Sequence, residues 1–347
     1  MSSMKYLLYP FSLLYGWVTS LRNHLYDLGI QKSVQFDVNV ISVGNLSAGG
    51  TGKSPMVEYL INLLDTNGHK PATLSRGYKR KTRGFRLASD EDNASTLGDE
   101  PYQFWLKFKK KIPVAVGVER VMAIPEILFE HEDRDVILCD DAFQHRPLRA
   151  NLNILLSTFD KPFFDDHLLP MGMLRENRKG AKRADALVFT KCSGEVASHK
   201  NKYIEKASQY LRKGTPVFFT RINYQSPIEI FESNRPFSAD ILLITGLADS
   251  LQIVDYVTDK FNLVKHMAYA DHYDYKDKDV DLIIKSFNEL SQQGNISILT
   301  TEKDFVKIRD IKKLSTLPFF YLPIETEFLY EGDKFERLIL DSFKDEK

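Results

Sequence analysis

Residues 38–56 read VNVISVGNLSAGGTGKSPM, and they constrain the fold more than any other stretch. Val38, Val40, Ile41 and Val43 predict a short buried strand. Gly44-Asn45 breaks it. From Pro55 onward, Met56, Tyr59, Leu60, Leu63 and Leu64 recur with the spacing of one helical face. Strand, glycine-rich loop, Gly-Lys-Ser and helix form the context of a phosphate-binding loop. Glycines let backbone N–H groups converge on phosphate oxygens, and the new helix adds its positive end. Ser47, Ala48, Gly49, Gly50, Thr51, Gly52, Lys53 and Ser54 are therefore candidate nucleotide-binding residues. Lys53 has the reach for β/γ-phosphates, and Ser54 has a hydroxyl for Mg²⁺. Ser47 stands where the general pattern has its first glycine.

The whole chain, 347 residues, 43% hydrophobic and 27% charged, is long enough for two domains or for one large one with an appendage. Lys+Arg and Asp+Glu balance at 47 each, so bulk charge gives no support for nucleic-acid binding. Cys139 and Cys192 lack metal-ligand spacing and predict buried thiols in a reducing compartment. No secretory signal is expected, and no uninterrupted run approaches the roughly 20 apolar residues of a membrane span. Residues 4–30, which include Lys5, read as a helix. Phe11, Leu14, Val18, Leu21 and Leu25 share one face; Ser12, Thr19, Arg22 and Asn23 lie elsewhere. Such a helix either lies in a membrane interface or docks on its own domain through that apolar face.

Further strands are predicted at Pro71–Leu74, Pro113–Val116, Asp135–Asp141, Asn153–Leu156, Asp185–Thr190 and Pro216–Phe219, with a helix over Glu195–Leu211. Arg76, on the loop after Pro71–Leu74, is placed to reach phosphate. Asp99 and Glu100 open a helix. Their spacing favours N-terminal charges stabilised by the helix dipole; the alternative is a carboxylate that orients or deprotonates an attacking hydroxyl. The run DVILCDD ends in Asp140 and Asp141, hard oxygen donors suited to Mg²⁺. Residues 163–178 form a long broken loop carrying Arg175 and Glu176. Thr190-Lys191 occupies a position where guanine-reading proteins continue to Asp; Ser193 stands there instead. Residues 224–238 read as a linker. Beyond it, strands are predicted at Ile241–Thr245, Ile296–Leu299 and Phe319–Leu322, with a helix about Val280–Leu290. His272, flanked by Asp271 and Asp274, is either structural or a tuned acid–base group. Thr301-Glu302-Lys303-Asp304 has capping-box character.

These stretches in order resemble one family, the tetraacyldisaccharide 4'-kinases. The matching runs are ISVGNLSAGGTGKSP (41–55), LSRGYKR (74–80), GDEP (98–101), VAVGVER (114–120), DDAFQH (140–145), LLPMGMLRE (168–176), TK (190–191), ADHYDY (270–275) and TTEKD (300–304). The resemblance implies a P-loop NTPase-like α/β fold: a mostly parallel sheet flanked by helices, a smaller C-terminal α/β domain and an N-terminal interfacial helix. The expected units are 1–35 (lipid-engaging helix), 36–223 (kinase core), 224–238 (linker) and 239–347 (second domain). The implied reaction moves the γ-phosphate of ATP onto the 4'-hydroxyl of an acylated glucosamine disaccharide 1-phosphate, giving lipid IVA. The implied location is peripheral, at the cytoplasmic face of the bacterial inner membrane, with no obligate protein partner. By the same matching, Asp99 is the general base, His272 its partner, and Ser54, Asp140, Asp141 and Glu176 handle magnesium. Glu100, Arg120, His145, Arg175 and Arg76 are candidates for sugar or phosphate contacts. The alternative is a P-loop NTPase switch or metallochaperone acting on a protein partner. It predicts nucleotide hydrolysis stimulated by protein and no lipid product.

Overall fold

The computed structural model describes residues 7–109, 111–194, 196–233 and 235–343. Met4–Tyr6 of the N-terminal stretch, with Lys5, and Glu195 of the Glu195–Leu211 helix lie outside them. The main sheet has nine strands. Its centre is β1 (Asn39–Asn45), between β5 (Val136–Asp140) and β6 (Leu152–Thr158). Beyond β5 come β2 (Pro71–Ser75), β4 (Val114–Val116) and β3 (Arg86–Leu87); beyond β6 come β7 (Ala186–Thr190), β8 (Val217–Tyr224) and β14 (Ile324–Phe328). All pairings are parallel except those of the two edge strands, β3 and β14. Every residue of β1, β2, β4, β5 and β7 is buried. This is why they read as continuous apolar runs rather than alternating ones: helices cover both faces.

On one face lie α2 (Lys53–Thr66) and α4 (Asp99–Phe108), which follows the single-turn α3 (Ala94–Leu97). Met56, Leu60, Leu64 and Phe104 pack there against Ile41 and Val43. The other face holds α5 (Arg120–Glu130), whose Ala123, Ile124 and Ile127 pack on Val40, Leu74 and Ile137. Helix α6 (Val196–Ser208) adds Val196 and Ala207 to a cluster with Phe163, Phe189 and Phe219. A second sheet of five strands runs β11 (Asn262–Ala268), β10 (Asp240–Thr245), β12 (Ser297–Thr301), β13 (Phe319–Leu322), β9 (Ile228–Glu229), parallel except at β9. It carries α7 (Leu251–Lys260), α8 (Asp277–Ser291) and α9 (Glu302–Ile308).

Two boundaries differ from expectation. The stretch 224–238 is not a free linker, because β9 within it pairs with β13. The second unit does not run to 347 either. After β13 the chain returns to the main sheet as β14, and α10 (Gly332–Asp341) places Phe335 and Ile339, both 0% exposed, in the main core. Fully buried side chains of this size contribute roughly 1.5–3 kcal/mol each, so the returning segment is held by main-sheet packing.

Helix α1 (Tyr9–Asp27) lies against the main unit, but through its small and polar side. Ser12 Oγ donates to Leu168 O (3.1 Å) and accepts from Met171 N (3.0 Å). Tyr15 OH donates to Arg175 O (2.7 Å), and Asn23 Nδ2 to Glu176 Oε2 (2.6 Å). At Gly16 an added Cβ would lie 2.5 Å from Leu168 Cδ1, so any larger residue must push that side chain aside. The apolar stripe faces outward, with Phe11, Leu14 and Trp17 each more than 60% exposed. Docking through the apolar face is thereby excluded.

Candidate active site

The parallel strands deliver their loops to one edge of the main sheet, where α/β folds bind ligands. The glycine loop leaves β1 there, and Gly52, at φ +79°, caps the start of α2. Only a residue without Cβ takes that conformation without strain. The loop is braced from three sides. Asn45 Nδ2 donates to Thr51 Oγ1 (2.6 Å), Thr190 Oγ1 donates to Thr51 O (2.9 Å), and Ala48 N donates to Met173 O (2.7 Å). Ser47 bridges Leu174 in an antiparallel pair. The loop 168–176 thus pins the strand-proximal half of the phosphate loop, while Gly49–Gly52 and the first turn of α2, with Lys53 and Ser54, form its mouth.

Asp140 and Asp141 end β5 beside it. Lys53 Nζ lies 3.8 Å from Asp141 Oδ1, and Arg175 Nη1 donates to both Asp141 oxygens (2.8 and 2.9 Å). Burial pushes the Asp141 carboxyl up, but Lys53 and Arg175 outweigh it and hold it below its ordinary value. Asp140 is different. Its Oδ1 is buried without a partner, and burial, then the Glu100 charge, push its carboxyl upward. An orphaned buried carboxylate oxygen beside a phosphate loop fits a hard divalent cation. Glu176 does not share that arrangement. It is 0% exposed, and Arg183 (2.7 Å), Gln144 (3.0 Å) and Asn23 (2.6 Å) occupy its oxygens. Its carboxylate ties α1 to the 168–178 loop. Among the described residues no three or more His, Cys, Asp or Glu side chains cluster as a metal site.

The second unit completes the cleft. His272 Nδ1 lies 2.8 Å from Asp99 Oδ2, and Lys307 Nζ 2.7 Å from the same oxygen. Among the described residues no hydrogen bond engages Asp99 Oδ1, which leaves one carboxylate oxygen for an incoming hydroxyl. Burial pushes the Asp99 carboxyl up; His272 and Lys307 overcome this and hold it below the usual range. Asp99 opens α4, where the helix dipole favours a carboxylate, and its side chain meets His272 and Lys307 of the second unit. Lys303 Nζ sits 3.1 Å from His272 Nε2 and 2.7 Å from Asp271 Oδ1. An ammonium only donates, so Nε2 accepts, and Nδ1–H donates to Asp99. That assigns the neutral tautomer. His272, Asp141 and Lys191 all hold positive φ (55°, 50° and 57°), strained backbone of the kind that persists at functional sites.

The remaining candidates gather less tightly. Arg120 is 2% exposed; Nη1 donates to Val118 O (2.8 Å) and Nε has no partner. His145 Nε2 is likewise buried and unpartnered. Burial, then Arg120, lowers the His145 pKa. Arg76 is exposed on its loop, and Glu100 follows Asp99 at the start of α4.

The profile of the tetraacyldisaccharide-1-P 4'-kinase family (LpxK) matches residues 4–344. The chain belongs to this family. It is 41% identical over 351 residues to the tetraacyldisaccharide 4'-kinase of Flavobacterium johnsoniae, covering 99% of each chain. It is 42% identical to that of Flavobacterium psychrophilum, covering 98% and 97%. A solved structure of "apo" form LpxK from Aquifex aeolicus, described as in complex with ATP, shares 31% identity at TM-score 0.75 over 98% of this chain and 99% of that one. The chain is thus a kinase of lipid A synthesis acting on a lipid disaccharide, and the switch or metallochaperone alternative falls.

Sequence reading of the kinase missed Lys307 and gave Lys303 only a capping context. Thr301 does cap α9, accepting from Asp304 N (3.0 Å). Yet Lys303 and Lys307 are four residues apart, so one helix face presents both to the cleft. That spacing was the available signal. Lys191 was also underread: a Cβ at Gly50 would sit 3.8 Å from its Nζ, and burial pulls its pKa down.

Proposed function

We propose that the cleft transfers the γ-phosphoryl group of ATP to the 4'-hydroxyl of tetraacyldisaccharide 1-phosphate, with Asp99 as general base. The observation that carries this reading is the Asp99–His272 pair, which faces the phosphate loop's edge of the sheet and leaves Asp99 Oδ1 free. The acceptor oxygen attacks the γ-phosphorus as its proton passes to Asp99; the bond from the γ-phosphorus to the β–γ bridging oxygen breaks, leaving ADP. His272 holds Asp99 by donating from Nδ1, and Lys307 fixes the same oxygen. Lys53 and the amides of residues 49–54 stabilise charge gathering on the phosphoryl oxygens. Ser54, Asp140 and Asp141 would hold Mg²⁺, which neutralises charge on the phosphates. Arg175 supports this set through Asp141. Glu100, Arg120, His145 and Arg76 supply sugar or phosphate contacts.

The outward apolar stripe of α1 supports a peripheral position on a membrane surface, the cytoplasmic face of the inner membrane, where the acylated acceptor resides. Among the described residues no helix is long and apolar enough to cross a membrane.

The test uses γ-labelled ATP, Mg²⁺ and tetraacyldisaccharide 1-phosphate in detergent, with Asp99→Ala alongside. A labelled lipid from the wild type that vanishes in the variant is expected. A labelled lipid from both removes Asp99 from the base role. Labelled inorganic phosphate without lipid product overturns the transfer reading.

A further inference from the structure

Asp141 is gripped by a guanidinium that has little else to hold it. Arg175 Nη1 donates to both Asp141 oxygens, and among the described residues its one other bond runs to Gln144 Oε1 at 3.4 Å. The Arg175 main chain therefore sets its aim. Arg175 N donates to Leu46 O (2.8 Å), just past β1, and Arg175 O accepts from Tyr15 of α1 (2.7 Å). The same helix holds the next residue. Glu176 Oε1 takes bonds from Arg183 and Gln144, whereas among the described residues Asn23 is the one donor to Oε2. A Cβ at Gly180 would lie 2.7 Å from that oxygen, so the protein packs tightly around it. A buried carboxylate oxygen that loses its donor must turn toward another. Here the others are Gln144 and Arg183, so the turn draws Gln144 away from Arg175.

We propose that Tyr15 and Asn23 are positioning residues for phosphoryl transfer: from α1 they hold the Arg175-Glu176 segment so that Arg175 sets the Asp141 carboxylate beside the phosphate loop. Tyr15 acts through a main-chain carbonyl, and Asn23 acts through Glu176 and Gln144. Both lie on the side of α1 away from the exposed Phe11, Leu14 and Trp17. One helix thus carries the outward apolar stripe on one side and the prop for the phosphate edge on the other. The inference rests on the reading above that Asp141 helps hold Mg²⁺.

The test uses a detergent-dispersed acceptor, so that membrane binding does not enter. The wild type is compared with Tyr15→Phe/Asn23→Leu, with Arg175→Met, with the three changes combined and with Asp141→Asn. Two quantities are read: the Mg²⁺ concentration that gives half-maximal kcat, and the Kd for ADP by calorimetry with and without Mg²⁺. The α1 double variant is expected to raise the Mg²⁺ requirement about tenfold, the scale on which a metal site loses affinity when a partner of its ligands is removed. The Kd for ADP is expected to weaken with Mg²⁺ present and to hold without it, and the KM for acceptor to hold. In the Arg175→Met background the same two changes are expected to add nothing, because they act through Arg175. Equal losses in both backgrounds, or a wild-type Mg²⁺ requirement in the double variant, overturn the proposal. Tyr15→Phe, which removes one hydroxyl, carries the same comparison if the double variant does not fold. Wild-type Mg²⁺ dependence of ADP binding in Asp141→Asn removes the magnesium reading and this proposal with it. A raised requirement there, with none in the α1 variants, removes the proposal alone.

Discussion

Asp99, the proposed base, shows how neighbours shape a single carboxylate. Its Oδ2 is fixed by His272 and Lys307, and its Oδ1 is open. A carboxylate held below its usual pKa is a weak base, but phosphoryl transfer needs it only as the acceptor oxygen attacks. Asp99→Ala is expected to lower kcat by ~10²–10⁴, the usual contribution of a positioned base, with less change in the KM for ATP; steady-state kinetics on both substrates check this. Lys307→Met removes a cation that favours the ionised carboxylate, so the Asp99 pKa rises toward its ordinary value. Less of it is then ionised at low pH. The acid limb of kcat/KM therefore moves to higher pH, and Lys307→Arg restores it. A pH profile with an unmoved acid limb would detach Lys307 from the base.

At the scale of elements, three helices meet through one lysine. Lys107 on α4 pairs with Glu58 on α2 (2.6 Å) and Glu302 on α9 (2.9 Å), and Gln103 adds a bond to Glu58 (2.8 Å). The phosphate-loop helix, the Asp99 helix and the second unit are thus tied at a buried point. Lys107→Met strands two carboxylates, a change that costs about 3–5 kcal/mol in buried sites. Burial first, then Glu302, already pushes Glu58 up to about 7 against Lys107. Without the lysine the folded chain binds the Glu58 proton more tightly than the unfolded one. Relative to the wild type the loss therefore grows as pH rises through about 7, is largest above it and fades as pH falls below it. Denaturant melts at several pH values test the sign. Helix α1 makes a separate prediction. Leu14→Ser/Trp17→Ser, both on the outward stripe, is expected to reduce vesicle partitioning while leaving kcat on a detergent-dispersed acceptor near wild type. Sedimentation with vesicles reads the first and steady-state kinetics the second.

At the scale of the molecule, the cleft joins two sheets built from non-contiguous chain. The main sheet closes with β14 and α10 only after the second sheet is complete, so both units are anchored at each end of the inserted segment. Ligand binding then stabilises the whole. ATP with Mg²⁺ at 100 times its Kd is expected to add about 2.7 kcal/mol to unfolding, and Lys53→Ala to abolish most of that shift in a thermal melt. Much of this organisation was legible in the chain. The buried parallel strands are unbroken apolar runs, and the glycine loop declares its own geometry. Strand β11 was not legible, since NLVKHMA mixes exposed and half-buried positions at a sheet edge. Nor was β14, because nothing in IETEF tells which of two sheets it pairs with.

Sequence alone determined the phosphate loop, the Asp140-Asp141 turn and the family, because local backbone demands and residue order are written in consecutive residues. Only the tertiary structure decided what depends on contact between distant segments. It brought Lys307 to Asp99 across 208 positions and filled the Glu176 carboxylate with Asn23, Gln144 and Arg183. It also turned the apolar face of α1 outward. An amphipathic period fixes that a helix has two faces; which face meets the protein depends on whether the surface beneath offers hydrogen-bond partners or an apolar groove, and here it offers Leu168 O, Arg175 O and Glu176.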